Sequence, residues 1–189
     1  MKVPLPPGPF TCVAADPPWR YKAGQSTRIK PRYDTMTIEE ICLLPVAAIA
    51  AEQSMLFLWA TSPFLLEAFR VMRSWGFVYK TTLAWAKGRI ADGDLVLHGG
   101  MGSYVSNAHE LVLVGTRGGC TARVKMLPSV ILAPARGGQL EHSVKPQELY
   151  NRAAQIAPVG RRLEMFARDY RTGWNGWGLE APAKETTTA

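Results

Sequence analysis

The sequence lacks the features of membrane, secreted and metal-binding proteins. No apolar run reaches the roughly 20 residues that a membrane-spanning helix needs, and the proline-rich segment Met1 to Pro9 contains no apolar signal core. Cysteine and histidine are scarce, with three of each. They show none of the paired spacings of zinc or redox sites, as their positions indicate: Cys12, Cys42, Cys120, His98, His109 and His142. We therefore expect no bound metal and no membrane partner.

Three familiar catalytic or nucleotide-binding motifs are also missing. The glycine pairs at 99–100, 118–119 and 137–138 do not follow a strand and open a helix, as the dinucleotide-binding fingerprint requires. The sequence has no phosphate-binding P-loop and no nucleophile elbow, so nucleotide hydrolysis and serine-type acyl transfer lack support. Asp16 could be half of a glycosidase pair, but no partner carboxylate is evident.

The sequence has an excess of positive charge. Its 22 lysine and arginine residues outnumber 15 acidic residues, which gives a formal net charge of +7. A basic surface favours polyanionic partners, and nucleic acid comes first among them, although charge alone is not specific. With 189 residues, 47% of them hydrophobic, the chain can form one well-packed domain. We expect a single domain over residues 1–180 and a polar, disordered tail over 181–189.

Short apolar runs alternate with amphipathic segments along the chain. The predicted strands cover residues 10–15, 54–59, 77–86, 110–115, 128–132 and 162–167. The predicted helices begin at residues 37, 45, 62 and 146. Residues 88–107 and 174–178 are predicted to be irregular, the latter as a tight aromatic ending. This alternation indicates an α/β fold with a mostly parallel sheet and helices on both faces.

The segment Asp16-Pro17-Pro18-Trp19 directly follows the first predicted strand. Ligands of open α/β sheets bind beyond the carboxyl ends of strands. The Asp16 carboxylate and the Pro17 carbonyl are hydrogen-bond acceptors, and the prolines contribute no competing N–H. Such a group suits the exocyclic amine of adenine, and Trp19 offers a face on which a base can stack. The alternative is a plain turn in which Asp16 caps the backbone and Trp19 belongs to the core.

A cationic loop follows this segment. It runs over residues 22–32 and contains no acidic residue. Its position beside the candidate site favours contacts with phosphates, whereas a solvated loop is the alternative. Together with the preceding tyrosine, its cations are the candidate substrate-binding residues Tyr21, Lys22, Arg28, Lys30 and Arg32.

The order of motifs resembles the Asp-Pro-Pro-Trp adenine-N(6) methyltransferases. That family includes the catalytic subunit of the messenger-RNA adenine methyltransferase and bacterial and phage DNA-modifying relatives. The likeness covers the chain from about Phe10 to Glu180, with five matching segments after residue 19: 33–36, 85–87, 109–115, 143–146 and 163–168. The resemblance implies a Rossmann-like S-adenosylmethionine fold in permuted order, with the catalytic segment first and the cofactor strand last.

The resemblance also implies a cofactor site that includes Asp16. Lys145 would pair with the methionine carboxylate of S-adenosylmethionine, Arg168 would hold the ribose region, and Glu164 and Phe166 would shape the pocket. Glu180 falls where relatives hold the ribose hydroxyls. Two residues also need partners on physical grounds. A cation at the start of a helix, such as Lys145, opposes the helix dipole, and Glu164 within an apolar strand needs a polar partner.

On the adenine side the resemblance implies Tyr33, Lys87 and Glu110. We predict an enzyme that transfers a methyl group from S-adenosylmethionine to the 6-amino group of adenine in nucleic acid, with DNA favoured. RNA as the substrate is one alternative. A catalytically silent nucleic-acid-binding partner of an active homologue is another, and Leu179, where relatives often carry asparagine, favours it mildly. We expect a cytoplasmic location in a bacterial or phage-infected cell, with a homodimer as an open alternative to a monomer.

Overall fold

The computed structural model describes residues 4–20, 34–100, 104–135 and 144–178. These residues form eight strands and four α-helices. The strands are β1 (Phe10–Ala15), β2 (Ala50–Ala60), β3 (Val78–Ala91), β4 (Asp94–Leu97), β5 (His109–Arg117), β6 (Val130–Ala133), β7 (Arg162–Met165) and β8 (Asn175–Trp177). The helices are α1 (Ile38–Cys42), α2 (Val46–Ile49), α3 (Leu65–Ser74) and α4 (Gln147–Ile156), and a short 3₁₀ turn, Ser62–Phe64, precedes α3.

All strands belong to one mixed sheet, in the order β4-β3-β5-β2-β1-β7-β8, with β6 paired to β3. The neighbours β2, β1, β7 and β8 run parallel to one another, so their carboxyl ends meet at one edge, here called the carboxyl edge. Because β5 is antiparallel to β2 and β3 is antiparallel to β5, the start of β5 and the Trp85–Lys87 part of β3 lie at this edge too. The topology thus brings Asp16, Glu110 and Lys87 together from distant parts of the sequence.

The sheet separates two hydrophobic clusters, because successive strand residues point to opposite faces. Val13 of β1 packs in a first cluster that contains residues of α1, α2 and α3. Ala14, its neighbour in the chain, packs in a second cluster with Leu149 and Ala153 of α4. The second cluster underlies the carboxyl edge, since it also contains Trp59 and Trp85.

The first predicted strand and the first predicted helix are confirmed in detail. β1 has the predicted bounds, and all six residues except Thr11 are buried. Helix α1 begins with the predicted capping box, in which the Thr37 side chain accepts from the Glu40 N–H and the Glu40 carboxylate accepts from the Thr37 N–H at 2.7 Å. These elements are fixed by local sequence, which explains why they could be predicted.

Two segments predicted to be irregular, residues 88–107 and 174–178, contain strands over part of their length. β3 runs on to Ala91 and turns back into β4 through a two-residue loop, with Asp92 and Gly93 both at positive φ (52° and 88°). Aspartate followed by glycine is a typical two-residue hairpin turn, so the signal was present in the sequence. β8 pairs in parallel with β7, but three residues around Gly176 are too short a run to show a strand pattern.

Within the described residues, no helix is long and apolar enough to cross a membrane. The predicted tail at 181–189 lies outside the described residues.

Candidate active site

Asp16 stands directly after β1, at the carboxyl edge, and is followed by two prolines that carry the chain out of the sheet. The Pro17 carbonyl accepts from the Trp19 N–H at 2.8 Å, and the Pro18 carbonyl accepts from the Met36 N–H at 2.9 Å. A carbonyl oxygen has two lone pairs, so Pro17 keeps one acceptor position. The segment is thereby held on both sides while the Asp16 side chain remains 23% exposed.

The predicted stacking role of Trp19 is wrong for this structure. The ring is only 6% exposed and belongs to the first hydrophobic cluster. It stacks on Phe64 with a centroid distance of 5.4 Å and an interplanar angle of 13°. Burial of so large an aromatic surface is favourable by about 2–3 kcal/mol, so the buried position of the ring is favoured over a solvent-exposed one. Trp19 therefore anchors the Asp16 segment to the core, as the alternative interpretation held.

A chain of alternating charges crosses the carboxyl edge. The Lys145 ammonium lies 3.1 Å from the Asp16 carboxylate and 3.0 Å from the Glu110 carboxylate. Glu110 in turn lies 2.6 Å from the Lys87 ammonium. We call these four residues the lysine–carboxylate chain. Two carboxylates explain why a lysine is tolerated just before α4, where the helix dipole disfavours a cation.

Three members of this chain, Asp16, Lys145 and Glu110, have shifted pKa values. Burial raises the pKa of Asp16, and the nearby Lys145 opposes this only in part. Burial also acts against ionised Glu110, but Lys145 and Lys87 outweigh it and lower its pKa. For Lys145, burial favours the neutral amine, yet Asp16 and Glu110 outweigh burial and raise its pKa. Lys145 and Glu110 are thus firmly charged, and Asp16 is the member whose protonation responds to its surroundings.

Glu164 on β7 has two polar partners that the sequence did not reveal. The Tyr150 hydroxyl donates to Glu164 Oε1 at 2.6 Å, and Arg171 Nε donates to Oε2 at 3.0 Å. The Arg171 guanidinium also lies 3.5 Å above the centre of the Tyr150 ring and donates to Gln147. Burial and Glu164 hold the pKa of Tyr150 well above its usual value. The sequence offered a signal for one of these partners, because Tyr150 lies in the helix predicted to begin at residue 146 and can point toward the sheet.

The turn after β7 is held in an unusual conformation. Phe166 has φ 63°, a left-handed value that is a genuine outlier for a bulky residue. Its ring packs edge-on against Trp177 at 5.5 Å, and the Ala167 N–H donates to the Trp177 carbonyl at 3.0 Å. Such strain persists where surrounding contacts over-determine it, often at ligand sites. The turn carries Arg168 close enough to Asp16 to lower that residue's pKa.

These residues surround a narrow cleft with a volume of about 30 Å³. It is lined by Asp16, Val144, Lys145, Tyr150, Glu164, Phe166, Arg168, Asp169 and Arg171. A larger groove of about 390 Å³ lies next to it and shares Glu164, Asp169 and Arg171. The sequence-predicted residues Asp16, Lys145, Glu164, Phe166 and Arg168 are therefore brought together in one cleft.

Comparison with known proteins shows the family. The MT-A70 family model matches residues 10–180. The chain belongs to the MT-A70 family. A type II methyltransferase, M.MunI of a Mycoplasma species, is 30% identical over 94% of this chain and 80% of its own length. The N(6)-adenosine-methyltransferase MT-A70-like protein of Arabidopsis thaliana is 29% identical over 90% of this chain and 24% of its own.

The human N(6)-adenosine-methyltransferase catalytic subunit METTL3 is 27% identical over 86% of this chain and 26% of its own length. The MT-A70 chain thus spans most of the Mycoplasma relative but about a quarter of these two eukaryotic relatives. The predicted family and the predicted enzyme class, an adenine-N(6) methyltransferase, are confirmed.

Several predicted site residues of the MT-A70 chain lie outside the described residues: Tyr21, Lys22, Arg28, Lys30, Arg32, Tyr33 and Glu180. Their roles stay predictions. In the described ranges, no group of three or more histidine, cysteine or acidic residues could hold a metal ion.

Substitution of Tyr150 by phenylalanine is expected to lower the free energy of unfolding by about 1–3 kcal/mol, because a buried hydrogen bond to a carboxylate is lost. Urea denaturation of the MT-A70 chain measures this. Tyr79→Phe is the control, since that hydroxyl bonds to Thr82 at an exposed position and its loss should cost less than about 0.5 kcal/mol. Equal losses in the two variants would contradict a structural role for the Tyr150–Glu164 contact.

Proposed function

We propose that this chain transfers a methyl group from S-adenosylmethionine to the 6-amino group of adenine in nucleic acid. One observation carries the proposal: an acidic side chain at the carboxyl end of β1, Asp16, lies 3.1 Å from a buried cation, Lys145. Asp16, which can accept a hydrogen bond from an amine, therefore lies beside Lys145, which can pair with a carboxylate. The family membership supports the same assignment.

We interpret the fold as a Rossmann-like methyltransferase fold in permuted order. The strands that follow α4 late in the sequence, β7 and β8, extend the sheet beside β1 in parallel. This arrangement suits a catalytic segment that comes first in the chain and a cofactor strand that comes last. Ligands of such sheets bind beyond the carboxyl ends of the strands, where Asp16 and Phe166 stand.

The donors and acceptors of the cleft fit S-adenosylmethionine. Lys145 would pair with its carboxylate, Asp16 would face its sulfonium end, and Glu164 and Arg168 would take the ribose hydroxyls. A volume of about 30 Å³ admits a water molecule or two, so cofactor binding requires side chains of the cleft to move. When bound, the cofactor supplies a methyl group that is already activated on sulfur.

The protein's own task is then to orient the amine. Asp16 and the remaining lone pair of the Pro17 carbonyl accept its two hydrogens, which leaves the nitrogen lone pair directed at the methyl group. Ionised Asp16 also stabilises the positive charge that develops on the nitrogen. The proton becomes acidic once the nitrogen is methylated, so no general base with a tuned pKa is needed. Lys87 and Glu110 would line the adenine side.

We place DNA before RNA as the substrate. The match covers 80% of a type II methyltransferase but only about a quarter of proteins named for adenosine, a ribonucleoside. A duplex target would have to be flipped out of its stack at a cost of a few kcal/mol. Trp19 is buried, so the flipped base needs another surface, and Tyr33 stays the predicted candidate. The cytoplasmic location and the homodimer also stay predictions.

Transfer of a tritiated methyl group to double-stranded DNA, single-stranded DNA and RNA, followed by mass spectrometry of nucleosides, tests the proposal. We expect N(6)-methyldeoxyadenosine in DNA. Label in RNA alone would assign the enzyme to RNA. No transfer to any substrate, together with no heat of S-adenosylmethionine binding in calorimetry, would indicate a catalytically silent partner and contradict the proposal.

A further inference from the structure

Two tryptophans lie beneath the lysine–carboxylate chain. The Lys145 ammonium is 5.0 Å from the centre of the Trp59 ring, and the Lys87 ammonium is 5.1 Å from the centre of the Trp85 ring. The two rings contact each other edge to face, with a centroid distance of 5.9 Å and an angle of 77°. We call this pair the tryptophan floor.

The strand register explains why the floor and the chain meet. Trp85 of β3 stands opposite Glu110 of β5, and Trp59 of β2 stands opposite Val112. Directly opposed residues share one face of a sheet, as do residues two apart on a strand. Trp59, Glu110 and Trp85 therefore lie on the same face, with the acidic strand between the two tryptophan strands.

We infer that Trp59 and Trp85 are positioning residues, which hold the two lysine ammonium groups in place on either side of Glu110. The inference rests on the proposed function for what those lysines bind. A lysine ammonium is a compact charge on a flexible four-carbon stem, and it can settle at many points around the carboxylates that it pairs with. The face of an indole ring attracts a cation and thereby selects one of these points.

The polar ends of the rings support this role. Trp85 Nε1 donates to the Ala133 carbonyl at 2.9 Å, which fixes the orientation of the ring. Trp59 is 1% exposed, and its Nε1 has no hydrogen-bond partner among the described residues. A buried donor without a partner is costly, so a simple hydrocarbon side chain would fill this space more favourably. The contact between the face of the Trp59 indole and the Lys145 ammonium explains why a tryptophan stands at this position.

The two tryptophans should serve different ligands. Trp59 acts through Lys145, which is placed to hold the carboxylate of the cofactor. Trp85 acts through Lys87, which lies with Glu110 on the adenine side. Loss of Trp59 should therefore weaken cofactor binding, and loss of Trp85 should weaken binding of the nucleic acid.

Calorimetric titration with S-adenosylhomocysteine, the demethylated cofactor, tests the first half. We expect Trp59→Leu to raise the Kd by about 3- to 30-fold, the range of a desolvated cation–π contact, and Trp59→Phe, which keeps an aromatic face, to raise it less. Phe57→Leu is the matched control. Phe57 lies two residues earlier on β2, in the same hydrophobic cluster and fully buried, so its loss disturbs packing without removing a ring from beneath a lysine.

Fluorescence anisotropy with an adenine-containing oligonucleotide tests the second half, with Trp85→Leu expected to weaken that binding while it leaves the Kd for S-adenosylhomocysteine within about twofold. Equal shifts in Trp59→Leu and Phe57→Leu, or a Trp59→Phe variant no better than Trp59→Leu, would overturn the inference. If Trp59→Leu does not fold, the Kd of Trp59→Phe is compared with that of Phe57→Leu instead. A shift in Trp59→Phe no larger than in Phe57→Leu would then overturn the inference. Failure of the wild-type chain to bind S-adenosylhomocysteine would instead count against the proposed function.

In that case the NMR signals of the Lys145 side chain still test the floor. With Asp16, Glu110, Lys87 and Arg168 unchanged around it, Lys145 should titrate at lower pH in Trp59→Phe than in the wild type. An unchanged titration would overturn the inference independently of any ligand.

Discussion

Replacement of Asp16 by asparagine is expected to lower the kcat of methyl transfer by about 100- to 1,000-fold, the usual cost of removing one preorganised electrostatic contact from a reacting centre. The amide keeps the volume of the side chain and one acceptor oxygen but loses the charge that, in the proposed mechanism, stabilises the methylated amine. Replacement by alanine, which removes both oxygens, should abolish transfer. Lys145 keeps Glu110 as a partner at 3.0 Å, so both variants should remain folded.

The dependence on pH gives this prediction a second readout. Burial raises the pKa of Asp16 above that of an ordinary aspartate, and in the proposed mechanism the ionised form acts. The kcat should therefore fall as the pH is lowered through this raised pKa, and the fall should be missing in Asp16→Asn. Glu148→Gln is the control, because that carboxylate is half exposed and pairs only with Arg152 in the described part of the chain. Near-normal turnover of Asp16→Asn would show that the carboxylate is not catalytic.

Replacement of Lys145 by methionine is expected to weaken S-adenosylmethionine binding by about 30- to 1,000-fold, because truncation of one member of a buried charge pair costs about 2–4 kcal/mol. Methionine keeps the length and the apolar stem but removes the ammonium. Asp16 and Glu110 would then face each other without the cation between them, and like charges raise the pKa of at least one carboxyl group. Isothermal calorimetry with the cofactor measures the change.

Lys80→Met provides the comparison for Lys145→Met. Lys80 is an exposed lysine of β3, so its loss should leave the Kd for the cofactor unchanged. A Lys145→Met variant that binds S-adenosylmethionine as tightly as the wild type would contradict the role of Lys145. A urea denaturation curve of Lys145→Met distinguishes a variant that is unfolded from one that is folded but does not bind the cofactor.

The parts of the fold that depend on neighbouring residues could be predicted from the sequence. The apolar run that became β1, the capping box at Thr37 and the position of Asp16 after β1 are local features. The family likeness added Lys145 and Glu110, which no local pattern joins. Their contacts arise only because β5 runs antiparallel to β2, and this pairing of distant strands is not visible in the sequence.

Other features could not be predicted, because residues distant in the sequence decide between alternative contacts for the same side chain. Trp19 could have faced a ligand or the core, and the position of Phe64, 45 residues later, decides for the core. Glu164 clearly needed a partner, but Arg171 contacts it from the irregular segment after β7, whose path the sequence pattern does not fix. The tryptophan floor requires the register of three strands at once, which short-range periodicity cannot supply.

The most direct test of the whole account is a crystal structure of the chain with S-adenosylhomocysteine. We predict that the carboxylate of this ligand contacts Lys145 and that its thioether sulfur faces Asp16, with room for one amine nitrogen between them. A sulfur atom bound elsewhere, for example in the groove beyond Arg171 and turned away from Asp16, would contradict the account.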